Sequence, residues 1–345
     1  MRSSAPESSR RRTLRRIALG LALVLAALAL VAAWGLRFRR APEPALAGAL
    51  VEGALEHEGR TRTWHAYLPK QRAPAPALVF VLHGSGGDGA QARGGYAYEF
   101  DVLAEREGFV PIYPDGYEKH WNDCRKAGPY AANTLDVDDV GFLRVLALRF
   151  AAEHGADPSR VFATGLSNGG QMALRLALEA PDLVRAVAPV AASLPAERNM
   201  DCRPAGRPVA TLLMNGTADP MNPWAGGDVA LYGLLGNRGA VLSAEDSIDY
   251  FRDIAGHTGA PQVTLLPDRD PGDGSRVEVR RWDAPGRRPV ALYAVLNGGH
   301  NAPHPQLEIP RLLGPTNHDV SAAEEIWRFF ASSPSPEPGR PRAER

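Results

Sequence analysis

The chain has 345 residues, 44% of them apolar and 23% charged, with a formal net charge of zero. That composition excludes a wholly disordered chain and is long enough for one large core or two medium ones. The neutral total hides an asymmetry. Residues 1–40 hold nine arginines against one acid, Glu7, which leaves 30 basic and 38 acidic side chains in the remaining body. A body that acidic argues against nucleic acid as a partner, because polyanion binding needs clustered cations.

The N-terminus reads as an export element. Arg10, Arg11, Arg12, Arg15 and Arg16 precede an uncharged run from Ile17 to Leu36. At 1.5 Å per residue such a run spans about 30 Å, the thickness of a bilayer's hydrocarbon core. It is longer than the apolar region of an ordinary cleaved signal, although Val31-Ala32-Ala33 ends in small residues that suit cleavage. The arginine excess before the run predicts a cytoplasmic N-terminus and an extracytoplasmic body, periplasmic or secreted, held at the membrane by this segment if it stays uncleaved. Ser9-Arg10-Arg11-Arg12-Thr13-Leu14-Arg15 also resembles a twin-arginine export signal, with Thr13 where Phe is usual. In an oxidising compartment the two cysteines, Cys124 and Cys202, are expected to pair.

Residues 41–52 read as a Pro-containing linker, and one strand is expected near Thr61–Leu68. Short apolar runs then recur at Ala77–Leu82, Phe109–Tyr113, Arg160–Thr164, Ala186–Val190, Val209–Met214 and Ala291–Leu296. Continuous apolar runs of this length suit parallel strands covered on both faces. Helical spacing lies between them: Val140, Leu143, Leu146, Ala147 and Phe150; Met172, Ala173 and Leu176; Ile248, Tyr250, Phe251 and Ile254; and Val320–Phe330. The alternation predicts one α/β domain over residues 53–331, a mostly parallel central sheet flanked by helices, followed by a loose Pro-rich tail at 332–345.

Chemistry-bearing residues cluster where strands end. Arg160–Thr164 runs into Gly165-Leu166-Ser167-Asn168-Gly169-Gly170 and then a helix, the G-x-S-x-G pattern in its strand–turn–helix setting. The glycines permit a strained turn that lifts Ser167 above the sheet. Asp219 follows Val209–Met214 and His300 follows Ala291–Leu296, in the chain order that a Ser–Asp–His triad requires. Each has a plainer reading: Asp219 as a turn residue before Pro220, and His300 as a loop histidine or, with His304, half of a metal pair. Pro303 and the paired glycines oppose the helix such ligands would need, so no metal is expected. His83-Gly84-Ser85-Gly86-Gly87 follows the first central strand. Gly84, Gly86 and Gly89 also match dinucleotide spacing, but Ala90–Gly95 shows no immediate helix start and His83 has no part in such a site.

Taken in order, His83–Gly87, Tyr113-Pro114-Asp115-Gly116, Trp121-Asn122-Asp123-Cys124, Asp138-Asp139-Val140-Gly141-Phe142, Gly165–Gly170, Asn215–Pro220 and Gly298-Gly299-His300 resemble the secreted polyhydroxybutyrate depolymerase and feruloyl esterase group of α/β-hydrolases. The resemblance covers roughly Gly53 to Phe330. It implies a serine esterase with Ser167 as nucleophile, Asp219 as acid and His300 as base, and no cofactor. The oxyanion would be held by the backbone N–H of Asn168 with one from Ser85 or Gly86. Relatives often carry Cys at the position of Ser85, so a disulfide there is absent. His83, Trp121 and Trp224 are expected at the substrate rim, facing a small-molecule or oligomeric ester. Asp138 and Asp139, at a helix start, read as structural. The alternative is an anchored binding protein on an inactive hydrolase fold, which a complete triad disfavours.

Overall fold

The computed structural model describes residues 7–36 and 38–333. Helix α1 (Glu7–Gly35) covers the uncharged N-terminal run. Among the described residues, no helix is long and apolar enough to cross a membrane, so the expected span gains no support from the structure. The tail at 334–345 lies outside the described residues.

A hairpin opens the body. Strands β1 (Ala49–His57) and β2 (Arg60–Leu68) pair antiparallel from Ala49↔Leu68 to His57↔Arg60. Their two-residue loop, Glu58-Gly59, has positive φ at both positions, the geometry that matches strand twist in tight hairpins. Strand β1 therefore begins within the stretch read as linker. Then follow β3 (Leu78–Leu82), α2 (Gly89–Gly95), α3 (Glu99–Glu107), β4 (Val110–Pro114), α4 (Ala131–Thr134), α5 (Asp139–His154), β5 (Val161–Leu166), α6 (Asn168–Glu179) and β6 (Ala186–Val190). The chain continues through β7 (Ala210–Gly216), a small ribbon of β8 (Gly227–Asp228) and β9 (Ala240–Val241), α7 (Ala244–Ile254), β10 (Gln262–Leu265), β11 (Arg276–Trp282), β12 (Val290–Leu296) and α8 (Ala322–Ser332).

Ten strands form one sheet in the order β1-β2-β4-β3-β5-β6-β7-β12-β11-β10. The central six, β4 to β12, are parallel, and both flanks are antiparallel. These six are the six apolar runs of the sequence, and the reason is burial on both faces. Within β3, Leu78, Phe80 and Leu82 face a core shared with α5, α6 and α7, whereas Val79 and Val81 face one shared with α2, α3 and α8. The flanking strands follow other rules. β11 alternates buried and half-buried positions, and β10 is exposed throughout, so neither carries a continuous apolar signal.

Helix α2 was not expected at Ala90–Gly95, because its glycines are poor helix formers. Asp88 compensates as N-cap, its Oδ1 accepting from Gln91 N at 2.9 Å. The acidic pair at the start of α5 is structural, as anticipated. Asp138 caps the helix by accepting from Gly141 N. Asp139 is fully buried, 2.6 Å from Arg62 Nη2, and also accepts from Asn122 N at 2.7 Å. Burial pushes the Asp139 carboxyl above the usual carboxylate range even with Arg62 beside it. Removing one member of such a pair strands a buried charge. Arg62→Met is expected to cost about 3–5 kcal/mol of stability, measured by denaturant unfolding; a change under about 1 kcal/mol would show that Asp139 is accommodated without its partner.

Candidate active site

The turn between β5 and α6 holds Ser167 at φ 57°, ψ −116°, a backbone conformation that side-chain-bearing residues rarely adopt. Two glycines make room for it. A Cβ on Gly165 would stand 2.5 Å from the Gly169 carbonyl carbon, and one on Gly169 would strike the Leu82 and His83 carbonyl oxygens. The end of β3 thus lies directly against the turn. Asn168, the first residue of α6, carries an amide N–H that has no partner within its own helix, and that N–H sits beside Ser167.

Asp219 and His300 come from loops after β7 and β12, which are neighbours in the sheet. These loops touch backbone to backbone. A Cβ on Gly216 would meet the carbonyl oxygens of Gly298 and Gly299, and Ala218 N donates to Gly298 O at 2.9 Å. The contact sets Asp219 Oδ2 2.7 Å from His300 Nδ1 in a buried pair. Asp219 Oδ1 accepts from Met221 N (2.7 Å) and Asn222 N (2.8 Å), so the turn role and the His-facing role belong to the same carboxylate. His300 N is in turn held by Leu313 O at 2.6 Å. His304 takes a separate part: its Nδ1 accepts from Gln306 N and Leu307 N, and its Nε2 faces Glu99 at 3.0 Å.

Ser167 and His300 line one cavity of about 570 Å³. Its wall is largely apolar, with Phe38, Met221, Ile309, Pro310 and Leu313 among the lining residues, and Ser85 and Arg238 supply polar groups. Phe38 comes from the segment after α1. Arg39 forms a two-way backbone bridge with Glu308, which seats that segment on the cavity edge. Phe38, Arg238 and the 309–313 loop escaped sequence reading, since nothing in their local pattern marks them as facing Ser167.

The two oxyanion candidates on the His83–Gly87 loop separate here. Gly86 N donates to Lys119 O at 2.9 Å, so it is already committed. Ser85 N has no partner among the described residues, and Ser85 lines the cavity with Ser167.

None of the three expected rim residues is among those lining the cavity of Ser167 and His300. Trp121 is fully buried: its Nε1 donates to His83 O at 3.0 Å, and its backbone N–H donates to Asn168 Oδ1 at 2.8 Å. Asn168 Nδ2 also donates to Trp121 O and to Asp123 Oδ2, so the Trp121 loop is clamped behind the Ser167 turn. Trp224 is half-buried against the α5–α6–α7 side of the core and outside the cavity lining. His83 is a buried strut: Gly116 N donates to its Nε2 at 2.9 Å, which leaves its proton on Nδ1 for Gly84 O at 2.8 Å. Buried hydrogen-bond partners hold His83 and Trp121 inward, and apolar packing against the core takes up Trp224. Cys124 and Cys202 form a disulfide, tying the Trp121 loop to the segment after β6.

Burial holds the His83 imidazole below its ordinary value of 6.5. The unfolded chain takes up this proton before the native state does. The stability that depends on neutral His83 is therefore complete above about pH 6.5 and declines as the pH falls from there toward the lowered native value. Thermal melts below pH 6.5 should fall more steeply with pH for the wild-type chain than for His83→Gln; equal slopes would show that another group sets the acid limit.

No family model matches the chain. Among curated proteins, it is 29% identical over 283 residues to NocK of Nocardia uniformis subsp. tsuyamanensis, named as a candidate esterase, covering 79% of this chain and 80% of that one. It is 29% identical over 238 residues to a poly(3-hydroxybutyrate) depolymerase of Ralstonia pickettii and over 157 residues to feruloyl esterase B of Talaromyces stipitatus. The matches cover 64% and 45% of this chain and only 46% and 39% of those relatives. An acetyl xylan esterase from Aspergillus awamori shares the fold, with a TM-score of 0.52 at 16% identity, over 82% of this chain and 99% of that one. Fold and relatives together place the chain among the carboxylic ester hydrolases of α/β-hydrolase architecture. Within that class it is similar to the polyhydroxybutyrate depolymerase and feruloyl esterase group.

Proposed function

We propose that the chain is a serine esterase in which Ser167, His300 and Asp219 act as one unit. The observation that carries this reading is the buried 2.7 Å contact of His300 Nδ1 with Asp219 Oδ2, with His300 facing the same cavity as Ser167. His300 takes the proton of Ser167 as its Oγ attacks the ester carbonyl. Asp219 holds the imidazole in the tautomer that leaves Nε2 able to accept, and stabilises the cation that forms. The backbone N–H groups of Asn168 and Ser85 bind the tetrahedral oxyanion. The alcohol leaves with the proton from His300, and water repeats the attack on the acyl-enzyme.

The apolar wall supports substrates with an apolar acyl or alcohol part, as soluble short-chain or aromatic esters have. We assign residues 1–40 to an export element, periplasmic or secreted delivery to the body from about 53 to 331, and a Pro-rich tail to the rest. The Arg-flanked leader and the Cys124–Cys202 disulfide support that placement. An anchoring role for the leader rests on its sequence alone.

Ser167→Ala, His300→Ala and Asp219→Asn should each lower kcat on a 4-nitrophenyl ester by orders of magnitude with the melting temperature retained, because such residues act as a unit. Activity in folded Ser167→Ala near that of the wild-type chain would remove the assignment. Soluble hydroxybutyrate oligomers and feruloyl esters should be cleaved well, and crystalline polymer films poorly; efficient film clearing would reverse the substrate reading.

A further inference from the structure

Among the described residues, one arginine lines the cavity. Arg238 lines it with Ser167 and His300, and among the described lining residues none is acidic. The Arg238 side chain is directed by two neutral acceptors, its Nε donating to the Tyr130 hydroxyl and its Nη1 to Gly236 O at 2.7 Å. Its backbone is anchored as well: Arg238 N donates to Val229 O, and Arg238 O accepts from Asn199 Nδ2. Among the described residues no carboxylate lies within ion-pair distance of it, and its neighbour Asp228 is paired with Arg198 instead. The guanidinium is therefore oriented and half-buried, with its Cζ 5.9 Å from the Tyr130 ring centre and no carboxylate of the described residues paired with it, in a body whose net charge is otherwise negative.

Tyr130 continues the chain of contacts. Its hydroxyl lies 2.8 Å from Ser85 Oγ, so Arg238, Tyr130 and Ser85 form a line from the cavity rim to the proposed oxyanion donor. Two roles are then open to Arg238: a brace for the Ser85 loop, or a recognition point for an anion. A brace needs only the Nε bond. It does not account for a second nitrogen, Nη2, that has no partner among the described residues while the cavity around it is lined by apolar side chains.

Resting on the esterase reading above, we propose that Arg238 selects esters that carry a carboxylate on the part of the substrate lying toward it. Arginine suits this role, since its planar fork takes a carboxylate through two parallel N–H bonds. In such a cavity the substrate's apolar stem lies along the wall and its carboxylate meets the guanidinium, while the scissile carbonyl sits at Ser167. The substrate class is then a half-ester or hydroxy-acid ester with a free acid end, soluble by virtue of that charge.

The test uses the full chain and two matched ester pairs. 4-Nitrophenyl hemiglutarate against 4-nitrophenyl valerate places the charge on the acyl side. 4-Acetoxybenzoate against its methyl ester places it on the alcohol side. In one pair the wild-type kcat/KM should favour the carboxylate, and raising the ionic strength should shrink that preference. Arg238→Gln should lower the charged-to-neutral ratio roughly tenfold, the loss expected for one charge-assisted contact, and Arg238→Lys should retain part of it. Ser85→Ala cuts the line between Tyr130 and Ser85 but leaves both Arg238 bonds in place, so it should change both members of a pair together and leave the ratio. A ratio unchanged by Arg238→Gln in both pairs, or no carboxylate preference in the wild-type chain, would overturn the proposal while Ser167-dependent turnover stood. Turnover that survives Ser167→Ala would instead sink the esterase assignment on which it rests.

Discussion

The close approach of two backbones at the end of β3 governs the site. Ser167 can hold its positive φ only because Gly165 and Gly169 present no Cβ to each other or to the Leu82 and His83 carbonyls. The same contact carries the His83–Gly87 loop to the Ser167 turn, which is why Ser85 and Ser167 share a cavity. Asn168 extends the constraint outward. Its side-chain amide exchanges hydrogen bonds with the backbone of Trp121 and reaches Asp123, whose carboxylate also holds the buried Arg125. With Cys124 joined to Cys202, the loop behind Ser167 is pinned from three directions. A strained turn persists only when its surroundings over-determine it, and these contacts do so.

A second backbone contact, between the loops after β7 and β12, brings Asp219 to His300. Gly216, Gly298 and Gly299 allow it, and Asn215 steadies the neighbouring loop by exchanging hydrogen bonds with Ala192 and donating to Ser193 Oγ. Both halves of the site thus rely on glycine for proximity and on buried amides for orientation. The sheet supplies the starting points, because β5, β7 and β12 all end on one edge, where open parallel sheets place their chemistry.

Legibility in the sequence followed burial. Strands covered on both faces announced themselves as apolar runs, and all six became the parallel centre. β1 and β11 mix charged and apolar residues because each has a solvent-facing side, and β10 is short and exposed throughout, so their signal resembled loop. The contact of Asp219 with His300 and the cavity His300 shares with Ser167 join residues to which strand ends, glycines and chain order point together. Trp121 and Trp224 misled because an aromatic after a strand is equally at home in a packed loop; for Trp121, the deciding bonds to His83 O and Asn168 join residues 38 and 47 positions apart. Gly86 was separated from Ser85 by a single long-range bond to Lys119, which local pattern does not encode.

Phe38 gives the N-terminal segment a meaning that a leader alone would lack. It belongs to the wall of the cavity, and Ala41 just beyond it is buried with Ala97 and Leu307. Maturation after Ala33 would leave Phe38 as the fifth residue of the shortened chain, still able to seat. A cut a few positions later would take away part of the cavity wall. If residues 1–40 serve as the proposed leader, the segment after it is therefore not a neutral tether, and the choice of processing point would also set how the cavity wall is completed.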